Sequence, residues 1–257
     1  MKFSIITTSY NSAKTISKSI NSLKKQNFKN IEMLWIDNSS MDGTYQILKK
    51  NKTSKTKLIK VKNMSISKAW NLGIKKSKGD IVGFLNSDDA LVSKNIIARI
   101  NDVFSKKKCN VVYTDIFYIN YKNKIIRNWI SDKFTNKILE KEYFKKKIKY
   151  GWMPPHPGFF VSKKFLRKIG YFNNSYKVSF DYDLILRILK SKDLKAYYLP
   201  IKSVKMLIGG NSNKISNIIT KMKEDIKIIN NNNVGGILTL LLKNISKISQ
   251  FFIRSKN

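Results

Sequence analysis

The chain has 257 residues, 42% of them hydrophobic, and 51 Lys or Arg against 16 Asp or Glu, a formal charge of +35. That apolar share supports the core of one large α/β domain or two small ones and excludes general disorder, and no stretch reaches the roughly 18 uninterrupted apolar residues that would span a bilayer. The lysines run from Lys2 to Lys256 without clustering, and arginine, suited to bidentate base and phosphate contacts, is confined to positions 99, 127, 167, 187 and 254; nucleic acid is therefore not the expected partner, whereas an anionic membrane surface or a diphosphate substrate meets the same charge.

Taken along the chain, apolar runs of strand length alternate with helical periodicity. Strands are predicted over Phe3 to Thr7, Ile31 to Ile36, Lys57 to Val61 and Ile81 to Leu85, with helices over Ala13 to Lys25, Asp42 to Lys50 and Ser67 to Lys76. This βαβ progression predicts a mostly parallel sheet flanked by helices, with a ligand crevice at the carboxyl ends of its strands. Met1 to Thr8, with Phe3, Ile5 and Ile6 as its only apolar run, is too short for a secretory signal, so a cytoplasmic location is expected.

After Asp89 come a helix at Lys94 to Phe104, a strand at Val111 to Thr114, and a hairpin of Ile116 to Tyr121 with Lys124 to Trp129. Cys109, the only cysteine, excludes an internal disulfide, fits a reducing compartment and reads as a small buried apolar residue. A lysine-rich helix near Lys137 to Lys147, the loop GWMPPHPG at 151–158, a strand Phe159 to Val161, the helix DYDLILRIL and closing strands Lys195 to Leu199 and Lys202 to Leu207 follow. Residues 1–115 read as a nucleotide-side half, 116–210 as an acceptor-side half and 211–257 as a separate helical tail. Within Gly236 to Arg254 an apolar stripe of Ile237, Leu238, Leu241, Ile245, Ile248 and Phe252 stands opposite Lys243, Lys247, Gln250 and Arg254. Such a basic amphipathic helix packs on its own domain or docks on a membrane surface.

Three acidic motifs fall where strands end or helices begin. In IDNSSMDGT at 36–44, Asp37 either accepts hydrogen bonds from a ribose or base or organises the turn, while Asp42 caps the next helix. In FLNSDD at 84–89, Asp88 is placed to hold a hard divalent ion against a diphosphate, and Asp89 either joins it or caps a helix. In SFDYDLILRIL at 179–189, Asp181 lies on a first helical turn, where the helix dipole favours a carboxylate able to take a hydroxyl proton. Asp183 either orients Asp181 at the acceptor or pairs with Arg187. His156 in PPHPG reads as a hydrogen-bond partner of an acceptor hydroxyl or a phosphate, a metal contact, or an ordinary loop histidine.

In this order the motifs, with SIITTSYNS at 4–12 and SISKAWNLGI at 65–74, resemble family 2 glycosyltransferases over roughly residues 2–210. IDNSSMDGT stands where the family often has VDDGSTDGT, with Asn38 at the second acid; TTSYN matches PTYN; and SISKAWNLGI is similar to GVSAARNRGI, keeping Ala69, Asn71 and Gly73 with Trp70 at the arginine. FLNSDD matches the DxD motif with Asn86 at its first acid, and the run from Met153 to Arg187 resembles the bacterial polysaccharide-assembly, colanic-acid-type subgroup. The resemblance implies the Rossmann-like GT-A fold, a nucleotide-sugar donor such as a UDP-sugar, manganese or magnesium as cofactor, and a saccharide or lipid-linked saccharide acceptor. It implies a nucleotide site of Thr8, Ser9, Asn11, Asp37, Asn71, Asn86 and Ser87, a metal on Asp88 and Asp89, and Asp181 as the base of an inverting transfer. A non-catalytic nucleotide-sugar-binding protein is the alternative, and it would not need Asp181.

Overall fold

The computed structural model describes residues 1–133, 136–208 and 215–249. Its first half follows the predicted alternation: β1 Phe3–Ser9, α1 Ile16–Lys24, β2 Ile31–Asp37, α2 Thr44–Lys50, β3 Thr56–Lys60, α3 Ile66–Lys76 and β4 Ile81–Phe84. β1 pairs in parallel with both β2 and β4, and β2 with β3. Side chains alternate as a strand period of two requires: Phe3 and Ile5 enter one core with Met33 and Trp35, while Ile6 enters the other with Leu34 and Ile36. The sheet is thus buried on both faces, as parallel sheets are.

The second half extends the same sheet. Here lie β5 Ala90–Leu91, α4 Ile96–Lys107, β6 Val111–Ile119, β7 Ile125–Trp129, α5 Lys141–Lys149, β8 Phe159–Ser162, α6 Lys163–Ile169, α7 Phe180–Leu189 and β9 Ala196–Leu207. The strand order is β3-β2-β1-β4-β8-β6-β9-β5, with β7 beside β6; β8, β5 and β7 run antiparallel to their neighbours and β9 runs parallel to β6. The fold is therefore mostly parallel α/β, as predicted.

Two boundaries differ from the sequence reading. The strand and the hairpin arm predicted on either side of Asp115 are the single strand β6, and the two closing strands are the single strand β9. The breaks in hydrophobic pattern mark bulges: the register between β6 and β9 shifts at Thr114/Asp115, opposite Pro200 and Ile201. Asp115 is tolerated there because it accepts from the Ser131 amide at 2.7 Å and from the Tyr198 hydroxyl at 3.0 Å.

The tail forms α8 Ile215–Asn231 and α9 Ile237–Ser249. It packs on the domain: Ile228, Ile229, Val234 and Leu240 join the core that contains α7. On α9 the predicted apolar stripe faces outward, with Ile237, Leu238, Leu241 and Ile245 exposed, while Thr239, Leu240 and Lys243 are buried. Of the predicted tail helix, Gln250, Phe252 and Arg254 and the side chains of Lys247 and Ile248 lie outside the described residues. No described helix is long and apolar enough to cross a membrane.

Candidate active site

The carboxyl ends of β1, β2 and β4 bring three loops together. Loop 9–12 is laced to loop 37–44: the Asn11 amide donates to Ser40 Oγ at 2.9 Å, the Ser12 amide to Thr44 Oγ1 at 2.7 Å, and the Met41 amide to Asn11 Oδ1 at 3.0 Å. The cap position of α2 falls on Gly43 rather than on the predicted Asp42, which makes the turn just before it, accepting from the Thr44 amide at 3.1 Å and the Ala13 amide at 2.9 Å. The Ser12 and Ser87 hydroxyls, 2.9 Å apart, tie in the third loop. Thr8 accepts from Trp70 Nε1 at 2.9 Å, and Trp70 stacks on Phe84 with centroids 4.8 Å apart.

Two residues expected to touch a nucleotide are turned to the protein itself. Asp37 is fully buried: Oδ1 accepts from the hydroxyls of Ser9 at 2.9 Å and Ser40 at 2.6 Å, and Oδ2 from the Ser40 amide at 2.9 Å. Its carboxylate serves the turn, because three donors from neighbouring backbone and hydroxyls satisfy it there. Asn71 is likewise buried; it donates to Phe172 O at 2.9 Å and accepts from the Phe172 amide at 3.0 Å, so it anchors the segment that leads to α7. Asn38, at the family's second acid, donates to Met64 O at 3.1 Å and accepts from the Met64 amide at 3.0 Å. An aspartate cannot do both, which gives the asparagine a structural reason.

At the end of β4, Asn86 Nδ2 donates to Asp89 Oδ2 at 2.8 Å and lies 3.2 Å from His156 Nε2. His156 opens a 3-10 turn, His156–Gly158, and its Nδ1 lies 3.2 Å from Asp181 Oδ2 on the first turn of α7. The carboxylate can only accept, so His156 Nδ1 donates to Asp181, while the role of Nε2 toward Asn86 follows the protonation of the ring. The histidine predicted as a free loop contact or a metal contact thus has both ring nitrogens engaged by protein. It joins the FLNSDD, PPHPG and FDYDL motifs, some 70 residues apart at the first step, into one chain of hydrogen bonds.

The electrostatics differ sharply among these carboxylates. Desolvation is the largest influence on Asp181 and pushes its pKa up, but the His156 hydrogen bond and the charges of His156 and Lys243 outweigh it and hold the group at about 2. Asp89, only 1% exposed, is pushed up to about 7 by burial and then by the neighbouring Asp88 charge. Asp88 is half-buried and also raised, by burial first. Asp89 Oδ1 is buried without a partner among the described residues. Two adjacent carboxylates that resist ionisation, one with an orphaned oxygen, fit a bound divalent cation, which would relieve both. Among the described residues no group of three or more His, Cys, Asp or Glu is placed to hold a metal ion.

Asp183 takes the second of its two predicted roles, the pair with Arg187. It is buried, and its Oδ2 accepts from Arg187 Nε at 2.9 Å and Nη2 at 2.8 Å. Arg187 also donates to Ile169 O at 3.1 Å and Tyr171 O at 2.6 Å, so the pair holds the end of α6 against α7. Conversely, Tyr118 was not anticipated; its phenol is raised to about 12, by burial first and then by the charges of Asp89 and Asp181, offset by Arg127. Gly73 of α3 faces Ile6 of β1 so closely that a Cβ would clash, which lets α3 lie flat and present Trp70 beneath His156, at 5.6 Å between centroids.

A parallel sheet with carboxylates gathered at its strand ends and a helix-borne carboxylate facing them is the architecture of GT-A enzymes. Crystal structures of Staphylococcus aureus TarS residues 1–349 share it: the free form aligns with a TM-score of 0.70 at 20% identity over 96% of this chain and 72% of that one. The TarS complex with UDP aligns with the same TM-score at 19% identity, over 98% of this chain and 71% of that one. A mannosyltransferase of Pyrobaculum calidifontis, solved with GDP-Man and Mn2+, aligns at 0.65 with 11% identity over 99% of this chain and 76% of that one. The sequence of residues 4–170 matches the Glycosyl transferase family 2 model, and the chain belongs to that family. It is a glycosyltransferase. Among characterised relatives, Escherichia coli WfaP, a UDP-Glc:alpha-D-GlcNAc-diphosphoundecaprenol beta-1,3-glucosyltransferase, is 32% identical over 198 residues, 75% of this chain and 72% of WfaP. TarS, a poly(ribitol-phosphate) beta-N-acetylglucosaminyltransferase, is 38% identical over 94 residues, 35% of this chain but only 16% of TarS.

Proposed function

We propose that this chain transfers a sugar, with inversion, from a nucleotide-sugar, in first place a UDP-sugar, to a saccharide or lipid-linked saccharide acceptor in bacterial surface polysaccharide synthesis. The observation that carries the reading is the hydrogen-bonded chain Asp181–His156–Asn86–Asp89, which aligns the Asp181 carboxylate with the acidic end of β4. Residues 1–115 form the donor side, with Thr8, Ser9, Asn11, Asn86 and Ser87 around the nucleotide and Asp37 shaping the turn beneath it. Residues 116–210 form the acceptor side. The donors of WfaP and the UDP complex of TarS support the choice of nucleotide.

In the transfer, the acceptor oxygen bonds to the anomeric carbon as the bond from that carbon to the diphosphate oxygen breaks, and the acceptor proton passes to Asp181. Attack from the side opposite the leaving group in one displacement gives inversion. Manganese or magnesium, held by Asp88 and Asp89 together with diphosphate oxygens, would offset charge on the leaving nucleoside diphosphate. A non-catalytic sugar-nucleotide binder would not need Asp181 held beside the end of β4.

The acceptor's lipid suggests the site of action. The exposed stripe of α9, the exposed Ile218, Ile219 and Met222 of α8, and the exposed lysines Lys223 and Lys227 match an anionic membrane surface in both polarity and charge. The enzyme would work as a peripheral protein at the inner face of the cell membrane. The deciding experiment is a screen of nucleotide-sugars with and without manganese, reading nucleoside diphosphate release and sugar transfer to lipid-linked saccharides. Absence of metal-stimulated transfer from every nucleotide-sugar would overturn the proposal.

A further inference from the structure

The tail helices reach the base from three directions. Glu224 of α8 accepts backbone hydrogen bonds from Lys177 at 2.6 Å, Val178 at 2.9 Å and Ser179 at 2.8 Å, gripping the chain just before Asp181. Lys243 of α9 places Nζ 3.3 Å from the centroid of the Tyr182 ring, just after Asp181, and pairs with Asp225 of α8 at 2.7 Å. α9 also seats the loop that carries His156. Thr239 donates to Lys149 O at 2.8 Å, and Gly151, at a φ of +74°, lies so close to the Lys243 backbone that a Cβ would collide with it.

The Lys243–Asp225 pair is expensive where it stands. Both side chains are almost wholly buried, at 3% and 2% exposure, and Asp225 Oδ1 lacks a partner among the described residues. Burial pushes the Lys243 ammonium down to about 8 despite the Asp225 charge. A buried ion pair is often no more stable than apolar side chains of like size, so stability alone does not account for it. Its location does, because the Lys243 charge is among the forces that hold Asp181 ionised.

We propose that Lys243 is a positioning residue of the transfer reaction, the keystone of a clamp in which α8 and α9 hold Asp181 and His156 in register. The inference rests on the reading of Asp181 as the base. Lys243 acts through Tyr182 and through its field, and touches no substrate.

The test is the double substitution Lys243→Met with Asp225→Leu, which removes the pair without leaving a lone buried charge, beside Lys243→Arg and Asp181→Asn. The double variant is expected to melt at or above the wild-type temperature and to bind UDP-sugar with unchanged Kd. Its transfer kcat should fall roughly 10-fold or more, the scale on which a slightly misplaced reacting group costs rate. Lys243→Arg should restore most of that rate.

The acid limb of transfer gives a readout that packing alone does not move. Around Asp181 stand His156 from its loop, Tyr118 from β6, Lys243 from α9, and Asp183 with Arg187 on its own helix; Asp225 and Lys221 of α8 face Lys243. Loss of the Lys243 cation raises the proton affinity of Asp181, so the limb moves to higher pH. A folded double variant with wild-type kcat and an unmoved limb would show the pair to be structural and overturn the inference. If Asp181→Asn itself retains transfer, the base assignment has failed instead. Should the double variant not fold, Lys243→Arg decides: a wild-type limb with reduced kcat contradicts the clamp.

Discussion

His156 Nδ1 lies 3.2 Å from Asp181 Oδ2, although the two residues sit on a proline-fixed turn and on a helix that begins more than 20 residues later. This contact engages one carboxylate oxygen and favours the charged form of the group. With its folded pKa depressed from 3.8 to about 2, the stability that Asp181 contributes is present above pH 3.8 and is lost as pH falls toward 2.

Substituting the two acids of the FDYDL motif should therefore separate chemistry from architecture. Asp181→Asn is expected to cut transfer by roughly 100-fold or more with donor Kd nearly unchanged, the scale of positioned general-base catalysis. Asp183→Asn removes the partner of Arg187 and should instead cost on the order of 2 kcal/mol of stability, with transfer largely retained in the folded fraction. Calorimetric donor binding, transfer rate and thermal unfolding of both variants check this. The reverse pattern would move the base two residues along the helix.

His156→Ala is expected to leave donor binding intact, slow transfer roughly 10- to 100-fold, and move the acid limb of transfer upward, because the hydrogen bond and charge that lower the Asp181 pKa are gone. His156→Gln, able to bridge only in part, should fall between. A His156→Ala enzyme with wild-type rate and limb would reduce the hydrogen-bonded chain to scaffolding.

How much of this was legible in the sequence depended on range. Strands β1 to β4 were readable because their side chains alternate between two cores, and the motifs at their ends because carboxylates after apolar runs are uncommon. The continuity of β6 through Thr114 and Asp115 was hidden by a bulge whose polar groups are satisfied by Ser131 and Tyr198, and the two-residue strand β5 is too short to show a period. Of the donors that hold the Asp37 carboxylate, Ser40 is local and fits the turn reading, whereas Ser9 lies 28 residues away and no local pattern encodes it. Lys243 misled for a different reason: on a helical wheel it belongs to the polar side, yet its partner Asp225 lies on another helix, and that side is the buried one.

At the end of β4, Asp88→Asn should abolish manganese-dependent binding of UDP in calorimetry, since an amide cannot replace the carboxylate that holds the ion. The same change has a second, opposite signature in metal-free protein. Burial raises the folded pKa of Asp88 above 3.8, so its ionised form costs stability as pH rises through that pKa, and its charge adds to the burden on Asp89. At neutral pH without metal the variant should therefore melt at or above the wild-type temperature, as residues kept for function often do. A lower melting temperature with manganese binding intact would make Asp88 a structural residue.

The outward face of α9 gives the last prediction. Leu238 and Leu241, 67% and 52% exposed, contribute nothing visible to the core, so replacing both by Glu should leave melting temperature, donor Kd and transfer to a water-soluble acceptor unchanged. Binding to anionic vesicles should weaken by roughly 10-fold or more, because each leucine forfeits on the order of 1 kcal/mol of insertion and each glutamate is repelled by the surface. Deleting residues 215–257 should behave differently, since it also removes Glu224 and Lys243 and so disturbs the base. Vesicle sedimentation in low and physiological salt, with the double Glu variant and the deletion side by side, distinguishes the contributions. If the double variant sediments as the wild type does, the dispersed lysines alone account for surface binding, and the exposed stripe on α9 has another purpose.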